Sequence, residues 1–335
     1  MDLRQSSNQL NEAKSRGLEP TVNVVMINDC AYVGQTILKY LPSDIEKQYI
    51  TRTRSLWDKT LGLTYKILKA RGDIYHAHYL LQDCYIASRL RKHPLIGHAH
   101  GTDLREGLKH PLWRRVVLHN LKHCDRVLAS TPDLSAIARA AGTEASYLPN
   151  PVDMEVFYPK PLVDHEGKMR VLIASSAWTA KGTDMALNAL SQLKGKVEVS
   201  MIQYGPDYRE MMSLAESRGL HVSALPKVPH EQTAEYYWNA DLIVDQFRCG
   251  VVGNVFLEAV ACGRPAIGYV SSEYPQFKTL PLKDVNSSDK IVETISSIAS
   301  LGDVWRAQYE YVKMTHDAST IAQRTLKVYR EVLDI

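Results

Sequence analysis

The stretch DLIVDQFRCGVVGNVFLEAVACGRPAIGYV, residues 241–270, contains the pattern on which the fold prediction rests. Its first part, DLIVDQF, is short and apolar, which is typical of a buried strand. The segment NVFLEAVACG that follows predicts a helix, and PAIGYV predicts a second strand. Two buried strands joined by a helix normally lie parallel in one sheet. The stretch therefore predicts an α/β fold built on a parallel sheet.

The same alternation of strand and helix runs along the chain in two blocks, on either side of a proline-rich segment at 149–167. We therefore predict two Rossmann-like domains facing a cleft, with ligands bound beyond the carboxyl ends of the strands. The predicted divisions are a polar leader (1–20), an N-terminal domain (21–155), a C-terminal domain (156–302) and a closing helix (303–335) that packs back toward the N-terminal domain.

The composition is that of a globular protein, with 335 residues, 45% of them hydrophobic, and a formal net charge of +3. The five cysteines form no CxxC pair, which favours reduced thiols and a cytoplasmic location. A run of about 18 apolar residues would predict a membrane span, and the sequence contains none. Attachment to a membrane surface stays open.

One basic segment bears on that question. Between Arg89 and Arg126 there are 9 basic and 3 acidic residues. The part HPLWRRVVLHNLKH has an apolar face beside several cations, which suits a helix lying on an anionic membrane. The same pattern suits a helix packed on a sheet, so both interpretations are kept.

Glu258 is the only charged residue between Gly250 and Arg264, within a helix that is apolar on all sides. A buried carboxylate needs a partner, and either a pair of sugar hydroxyls or a buried Arg or Lys would serve. Gly250 and Gly253 precede the helix. They allow a phosphate to approach the backbone at the helix N-terminus, or they form a plain tight turn.

The segment VFLEAVACGRPAI resembles the C-terminal signature of the retaining glycosyltransferases of the GT-B fold, the group 1 or family 4 type that includes sucrose synthases and bacterial mannosyltransferases. That family has the motif E-x7-E before a G-x-P turn. The resemblance places Glu258 at the second Glu, which holds the nucleotide ribose. The first Glu falls at Gly250, so the chain is similar to a sub-branch with a D-Q pair ahead of a G-x-x-G loop. Asp245 or Gln246 is then expected to replace the missing acid.

Further segments extend the resemblance. Lys181 and Gly182 match the family's diphosphate-binding Lys-Gly, while Ser176 replaces the usual Arg. GHAHGTDL is similar to the strand end whose His, here His100, reaches the donor sugar. The catalytic residues implied are His100, Lys181 and Glu258. The donor-binding residues implied are Gly34, Lys181, Gly205, Lys227, Val228, Asp245, Gln246, Gly250, Gly253, Asn254, Val255 and Glu258.

Four histidines lie near two predicted strand ends, at His76, His78, His98 and His100. Residues two apart on a strand point to one face, so the four imidazoles permit a metal site. Enzymes of this fold need no structural metal, and no carboxylate spacing supports one. We therefore predict that no metal is bound and that His76, His78 and His98 make hydrogen bonds near the strand ends.

The resemblance implies transfer of a hexosyl group from a nucleoside-diphosphate sugar to a hydroxyl acceptor that is a glycan, a lipid-linked sugar or a small molecule. It implies that the N-terminal domain (21–155) lies on the acceptor side and that the C-terminal domain (156–302) binds the nucleotide sugar. It implies retention of anomeric configuration and no cofactor beyond the donor. The expected partners are the donor, the acceptor and an anionic membrane surface, with no nucleic acid. Two alternatives remain at this point: a sugar-nucleotide epimerase of the same fold, and a non-catalytic protein that binds nucleotide sugars.

Overall fold

The computed structural model describes residues 22–53, 55–162 and 166–335. It divides into two compact units, one formed by Met1–Pro151 with Ala318–Ile335 and the other by Val152–Asp317. The predicted polar leader (1–20) lies outside the described residues.

The first unit contains a six-stranded sheet in the order β2-β1-β3-β4-β5-β6, and all neighbouring strands are parallel. Its strands are β1 (Asn23–Ile27), β2 (Glu46–Ile50), β3 (Ile74–His78), β4 (Leu95–Ala99), β5 (Arg126–Ala129) and β6 (Ser146–Tyr147). Its helices are α1 (Val33–Tyr40), a π-helix (Asp58–Gly62) that continues into α2 (Leu63–Lys69), α3 (Gln82–Arg89), α4 (Thr102–Arg105), α5 (Pro111–His123), α6 (Pro132–Ala140) and the last helix of the chain, Ala318–Leu333.

Both faces of this sheet are covered, which explains the short apolar runs in its strands. On one face Val25 and Ile27 pack with Leu63, Val117 and other buried residues of the helices that precede residue 142. On the other face Val24 and Met26 pack with α1 and with the last helix. Because successive strand residues alternate between the two faces, the histidines of β3 and β4 all fall on the second face.

The second unit contains a five-stranded parallel sheet in the order β11-β10-β7-β8-β9. Its strands are β7 (Met169–Ile173), β8 (Val197–Ile202), β9 (Val222–Leu225), β10 (Leu242–Val244) and β11 (Ala266–Ile267). Its helices are α7 (Thr183–Gln192), α8 (Tyr208–Ser217), α9 (Thr233–Trp238), α10 (Asn254–Ala261), α11 (Ser288–Ser297) and α12 (Leu301–His316), with short 3-10 turns at Thr179–Lys181, His230–Gln232 and Pro275–Phe277. The last helix of the first unit is α13.

The stretch 241–270 forms the predicted strand–helix–strand unit, with β10 and β11 paired in parallel around α10. The first strand is shorter than its apolar run, because pairing ends at Val244 and residues 245–253 form a loop. Two parallel α/β sheets confirm the predicted fold class.

The C-terminal region differs from the single helix expected over 303–335. The structure has two helices there, α12 and α13, which belong to different units. Asp317 between them has extended backbone angles and forms an isolated parallel bridge with Val152. The backbone N–H of Val152 also donates to the His316 carbonyl over 2.8 Å. The chain therefore crosses between the units at two adjacent positions, 151–152 and 317–318.

Candidate active site

In the second unit, the residues singled out from the sequence lie in loops at the carboxyl ends of neighbouring strands. Lys181 follows β7, Gly205 follows β8, Lys227 and Val228 follow β9, and the 245–253 loop follows β10. The carboxyl ends of parallel strands meet at one edge of a sheet, where ligands of such folds bind. The fold therefore brings these sequence positions to one edge.

Glu258 lies on α10 with only 9% of its surface exposed. Its Oε1 lies 2.8 Å from His230 Nε2, and its Oε2 accepts the Tyr237 hydroxyl over 2.8 Å. Neither partner is the Arg or Lys considered from the sequence. An ionised carboxylate has about four acceptor positions. The two described hydrogen bonds therefore fix the carboxylate and leave it capacity for the two hydroxyls of a diol.

Tyr237 stays protonated in this arrangement, because burial raises the pKa of its hydroxyl well above the usual value and the Glu258 carboxylate raises it further. The ring of His230 meets Phe157 edge-on, with centroids 5.0 Å apart. Neither His230 nor Tyr237 was predicted from the sequence as a site residue. They lie 28 and 21 positions from Glu258, and nothing local in HEQTAEYYW indicates the contact.

Asp245 is the first residue after β10 and is 5% exposed. Burial raises the pKa of its carboxyl to about 6, against the opposing effects of Lys181 and of backbone hydrogen bonds from Gly253 and Phe256. Those two residues lie at the start of α10, so the carboxylate fills the positive N-terminal end of that helix. The helix N-terminus, for which the sequence left open a phosphate site or a plain tight turn, is thus capped by a side chain of the same chain.

The two glycines of the loop have separate roles. A Cβ at Gly253 would overlap the Asp245 carboxylate, so the absence of a side chain lets that carboxylate reach the helix. Gly250 has a φ of 68°, a left-handed conformation that is unfavourable for other residues. A Glu at position 250 would adopt that conformation beside the Tyr269 ring, with its Cβ only 3.2 Å from Cε1 of that ring. The family's usual acid therefore does not suit this loop.

Gln246 supports the loop rather than projecting from it. Its side-chain amide donates to the Val251 carbonyl over 3.1 Å, and 8% of the residue is exposed. Its backbone carbonyl accepts Tyr269 N–H over 2.8 Å. At the helix start, Asn254 and Val255 are half-buried.

Lys181 ends the 3-10 turn directly before α7, as expected for a residue at a helix N-terminus. Its carbonyl accepts the Phe247 N–H over 2.7 Å, which ties the β7 and β10 loops together. Its charge lowers the pKa of Asp245, so the ammonium lies within electrostatic reach of that carboxylate. Arg248, in the same β10 loop, pairs with Asp184 of α7 at 2.6 Å. Arg248 was not predicted as a site residue, although the sequence shows a cation between the D-Q pair and Gly250.

Gly205 has a φ of 128°, and a Cβ there would overlap the Ala177 backbone. It lines an open cavity of 460 Å³ together with Gln203, Pro206 and Asp207. The Asp207 carboxylate accepts both the N–H and the hydroxyl of Thr179 over 2.8 Å, which joins this cavity to the Lys181 turn. On the β9 side, Lys227 Nζ lies 4.4 Å from the Tyr204 ring centroid and Val228 is half-buried.

In the first unit the four histidines form one stack on the sheet. The ring centroids of His98 and His100 are 4.3 Å apart, and those of His76 and His78 are 4.8 Å apart at 10°. His78 Nδ1 lies 2.8 Å from His100 Nε2, and His76 Nδ1 lies 2.7 Å from the hydroxyl of Tyr329 on α13. Burial lowers the pKa of all four imidazoles, so they are neutral at pH 7.

Three of these residues, His76, His78 and His98, offer nitrogens within 4.8 Å of one another, and neutral imidazole is the metal-binding form. A metal ion lies in the plane of each ring that binds it. The nearly parallel, stacked rings of His76 and His78 cannot both direct a lone pair at one point. His76 Nε2 is instead 3.2 Å from His98 Nδ1. The arrangement favours a hydrogen-bonded stack over a metal centre.

Asp103 fixes the loop that carries His100. Its buried carboxylate accepts backbone N–H groups of Leu80, Gly101 and Leu104 over 2.9–3.0 Å, with a longer bond from His100 at 3.2 Å. Burial raises the pKa of this carboxyl and the backbone donors lower it. The ends of β3 and β4 are thereby joined beside His100.

Gly34 lies in the first turn of α1. Its N–H donates to Asp29 Oδ1 over 2.7 Å, and Asp29 also accepts from Cys30 and Gln35 N–H and from the Tyr49 hydroxyl. As at α10, an aspartate that follows a strand fills the N-terminus of the next helix. A Cβ at Gly34 would lie 2.8 Å from His78 Nε2, so packing against His78 accounts for this glycine.

Two family models match the chain in succession. Residues 33–156 match the model described as Glycosyltransferase Family 4, and residues 168–295 match the model described as Glycosyl transferases group 1. Both matches fall on parallel α/β units. The chain is therefore similar to glycosyltransferases over most of its length, and its two parallel α/β units are those of the GT-B fold.

Three similar proteins illustrate the relationship. The chain is 25% identical over 263 residues to a D-inositol 3-phosphate glycosyltransferase of Catenulispora acidiphila, covering 68% of this chain and 62% of the relative. It is 28% identical over 201 residues to a GDP-mannose-dependent phosphatidylinositol monomannoside mannosyltransferase of Mycolicibacterium smegmatis, covering 52% of each. The match thus spans less than two thirds of either relative. The structure of Anabaena HepE in complex with UDP and glucose aligns with a TM-score of 0.74 at 14% identity, over 92% of this chain and 99% of that one.

Within the described residues, none of the helices has the length and apolar character required to cross a membrane.

Proposed function

We propose that this protein is a metal-independent glycosyltransferase that moves a hexosyl group from a nucleoside-diphosphate sugar to a hydroxyl acceptor with retention of configuration. The observation that carries the proposal is Glu258, a buried carboxylate held by Tyr237 and His230 with acceptor capacity to spare. Such a carboxylate suits the two hydroxyls of a ribose. The matches to two glycosyltransferase models and the UDP bound in Anabaena HepE support a nucleotide-sugar donor.

Lys181 is proposed to meet the donor diphosphate. The turn that holds it is fixed by the Phe247 and Asp207 hydrogen bonds, so the backbone that presents the lysine is already ordered. A fixed cation lowers the barrier when it meets charge that develops in the transition state. The N-terminus of α7, which begins at Thr183, adds a second positive end.

His100 is proposed to orient the donor sugar. Its ring is neutral because burial lowers its pKa, and its orientation is set by the hydrogen bond to His78. A neutral imidazole can form a hydrogen bond with a sugar hydroxyl without removing the proton of that hydroxyl. In the retaining mechanism the leaving phosphate oxygen takes the acceptor proton on the same face, so no strong protein base is needed.

Asp245 and Gln246 are proposed to act indirectly. Their polar atoms bind the loop and the start of α10. They therefore position Glu258 and the glycine loop. An acid at position 250 would instead contact the sugar directly.

The test is a donor assay. The protein is incubated with UDP-, GDP- and dTDP-sugars, and nucleoside diphosphate release is measured with and without acceptors that include inositol phosphates and phosphatidylinositol glycans. Release that depends on acceptor supports the proposal, and the anomer of the product is read by NMR. Added EDTA should leave the rate unchanged.

Glu258→Gln and Lys181→Ala should each reduce turnover by about 100-fold or more. The surface variant Lys194→Ala is the matched control for loss of a lysine. An epimerised sugar nucleotide, or binding without turnover in the presence of every acceptor, would contradict a transferase.

A further inference from the structure

Five large apolar side chains are exposed along one short segment of the first unit. They are Leu56 (82% exposed), Trp57 (67%), Leu61 (60%), Tyr65 (61%) and Leu68 (55%). Single exposed apolar residues need no explanation, but a contiguous group on one element marks a binding surface. This group, called here the apolar face, is not part of the sites described above.

The π-helix and α2 align these residues. In the wider π turn over Asp58–Gly62, each residue is rotated about the helix axis by a smaller angle than in an α-helix. The five side chains therefore fall within an arc of roughly 100°. Leu63 and Ile67 lie on the opposite arc and are fully buried against the sheet. The segment is thus a helix that is apolar on two opposite sides. One side packs against the sheet, and the other is exposed.

The residues around the apolar face are strongly basic. Residues 51–71 contain six Lys and Arg and a single acid, Asp58. That acid is already paired with Lys66 at 2.6 Å. Lys69 lies 5.8 Å from the Tyr65 ring centroid, so a cation borders the apolar face directly. Arg52 is paired with Asp83 outside the segment at 3.2 Å, and the other cations of the segment still outnumber its acid. An exposed apolar stripe flanked by an excess of cations complements an anionic lipid surface, since the stripe enters the acyl boundary and the cations meet the headgroups.

The segment also begins beside the candidate acceptor side of the unit. It follows β2, which pairs with β1, and Tyr49 near the end of β2 donates to Asp29 in the loop before Gly34. The apolar face is therefore connected to the carboxyl edge of this sheet, where His100 also lies.

The structure does not favour α5, the helix that the sequence suggested for a membrane. Val117 and Leu121 of α5 are buried in the core of the unit, as expected for a helix packed on a sheet. Leu112 at its start is exposed, whereas Trp113 and Val116 are half-buried.

We propose that Leu56, Trp57, Leu61, Tyr65 and Leu68 form a docking surface for an anionic phospholipid bilayer. The role of this surface rests on the proposed function: docking would bring a lipid-linked acceptor to the carboxyl edge of the first unit. Docking itself needs no donor and no turnover.

The test uses the full-length protein and vesicles of phosphatidylcholine with or without phosphatidylglycerol. Co-sedimentation should be at least about tenfold stronger with the anionic vesicles and should weaken as salt increases. The variant Leu56→Ser/Leu61→Ser/Leu68→Ser should lose it. The control Leu112→Ser/Met314→Ser removes exposed apolar residues elsewhere and should retain it. Lipids brominated on the acyl chain should quench fluorescence of the wild type more than that of Trp57→Phe.

Several outcomes would overturn docking: equal binding by the triple variant and wild type, no preference for anionic vesicles, or a concentration-dependent dimer that the triple variant abolishes without any vesicle binding. Thermal unfolding of the variants shows that they are folded. Activity on a water-soluble acceptor separates the two proposals. A triple variant that turns over this acceptor normally but does not bind vesicles supports docking, whereas a wild type that binds vesicles but transfers no sugar contradicts only the proposed function.

Discussion

The Tyr237 hydroxyl donates to Oε2 of Glu258 over 2.8 Å, and both side chains are buried. This bond joins α9 to α10 and holds the carboxylate in the orientation proposed to receive a ribose. Removing a buried donor leaves its acceptor partly unsatisfied, which costs more than the net value of an average hydrogen bond.

Tyr237→Phe is therefore expected to lower the free energy of unfolding by about 1–3 kcal/mol. It should also raise the donor KM several-fold while kcat falls less, because the altered contact concerns binding of the nucleotide. Denaturant titration and donor saturation curves measure the two effects. The neighbouring Tyr236 donates to the Pro226 carbonyl in an exposed position, so Tyr236→Phe is the matched control. Equal effects of the two variants would contradict a special role for the Glu258 contact.

The close approach of Gly253 to Asp245 gives a second prediction. Gly253→Ala would place a methyl group against the carboxylate and force either the cap or the loop to move. We expect a loss of about 1–3 kcal/mol in unfolding free energy and a large loss of activity. Gly195→Ala is the control, since no atom lies within 4 Å of its added Cβ. A Gly253→Ala protein as active and stable as the control would show that Asp245 does not need this approach.

The sequence predicted the layers of this fold because apolar periodicity is a local property. DIYHAHY and TVNVVMI became β3 and β1, and the strand–helix–strand unit at 241–270 formed as predicted. The break at Asp317 was missed, because the apolar pattern continues through it while the two helices pack on different units.

The candidate site was predictable only in part. A strand end followed by glycines and a helix allowed either a bound phosphate or a plain tight turn, and in the structure a carboxyl group lies at the helix N-terminus. It is Asp245, since a phosphate and a carboxylate satisfy the same N–H groups and the sequence alone does not distinguish them. The partners of Glu258 depend on tertiary packing across more than 20 positions.

The histidine stack predicts acid sensitivity. Burial lowers the pKa of His76, His78, His98 and His100, in the case of His98 to about 3. Below about pH 6.5 the unfolded chain binds protons at these rings while the folded protein does not, so stability is full above that pH and is lost as the pH falls. Each ring contributes about 1.4 kcal/mol per pH unit. His98→Asn should reduce the slope of unfolding free energy between about pH 6 and 4.5 by one proton. An unchanged slope in His98→Asn would contradict a neutral buried ring.

Asp245 predicts the opposite dependence. Its carboxyl has a pKa of about 6 in the folded protein against 3.8 for the ordinary group. Between these pH values the folded state keeps a proton that the unfolded state has lost. This group therefore lowers the free energy of unfolding as the pH rises. The decrease is about 3 kcal/mol in all and is complete above about pH 6.

Asp245→Asn lacks this titration. The unfolding free energy of wild type minus that of the variant should therefore fall as the pH rises from about 4 to 6.5 and then stay constant. Lys181→Met removes the charge that lowers the Asp245 pKa, so it should move the window to higher pH. A difference between wild type and Asp245→Asn that does not change with pH, or a window that Lys181→Met leaves in place, would show that the carboxylate is not buried beside Lys181.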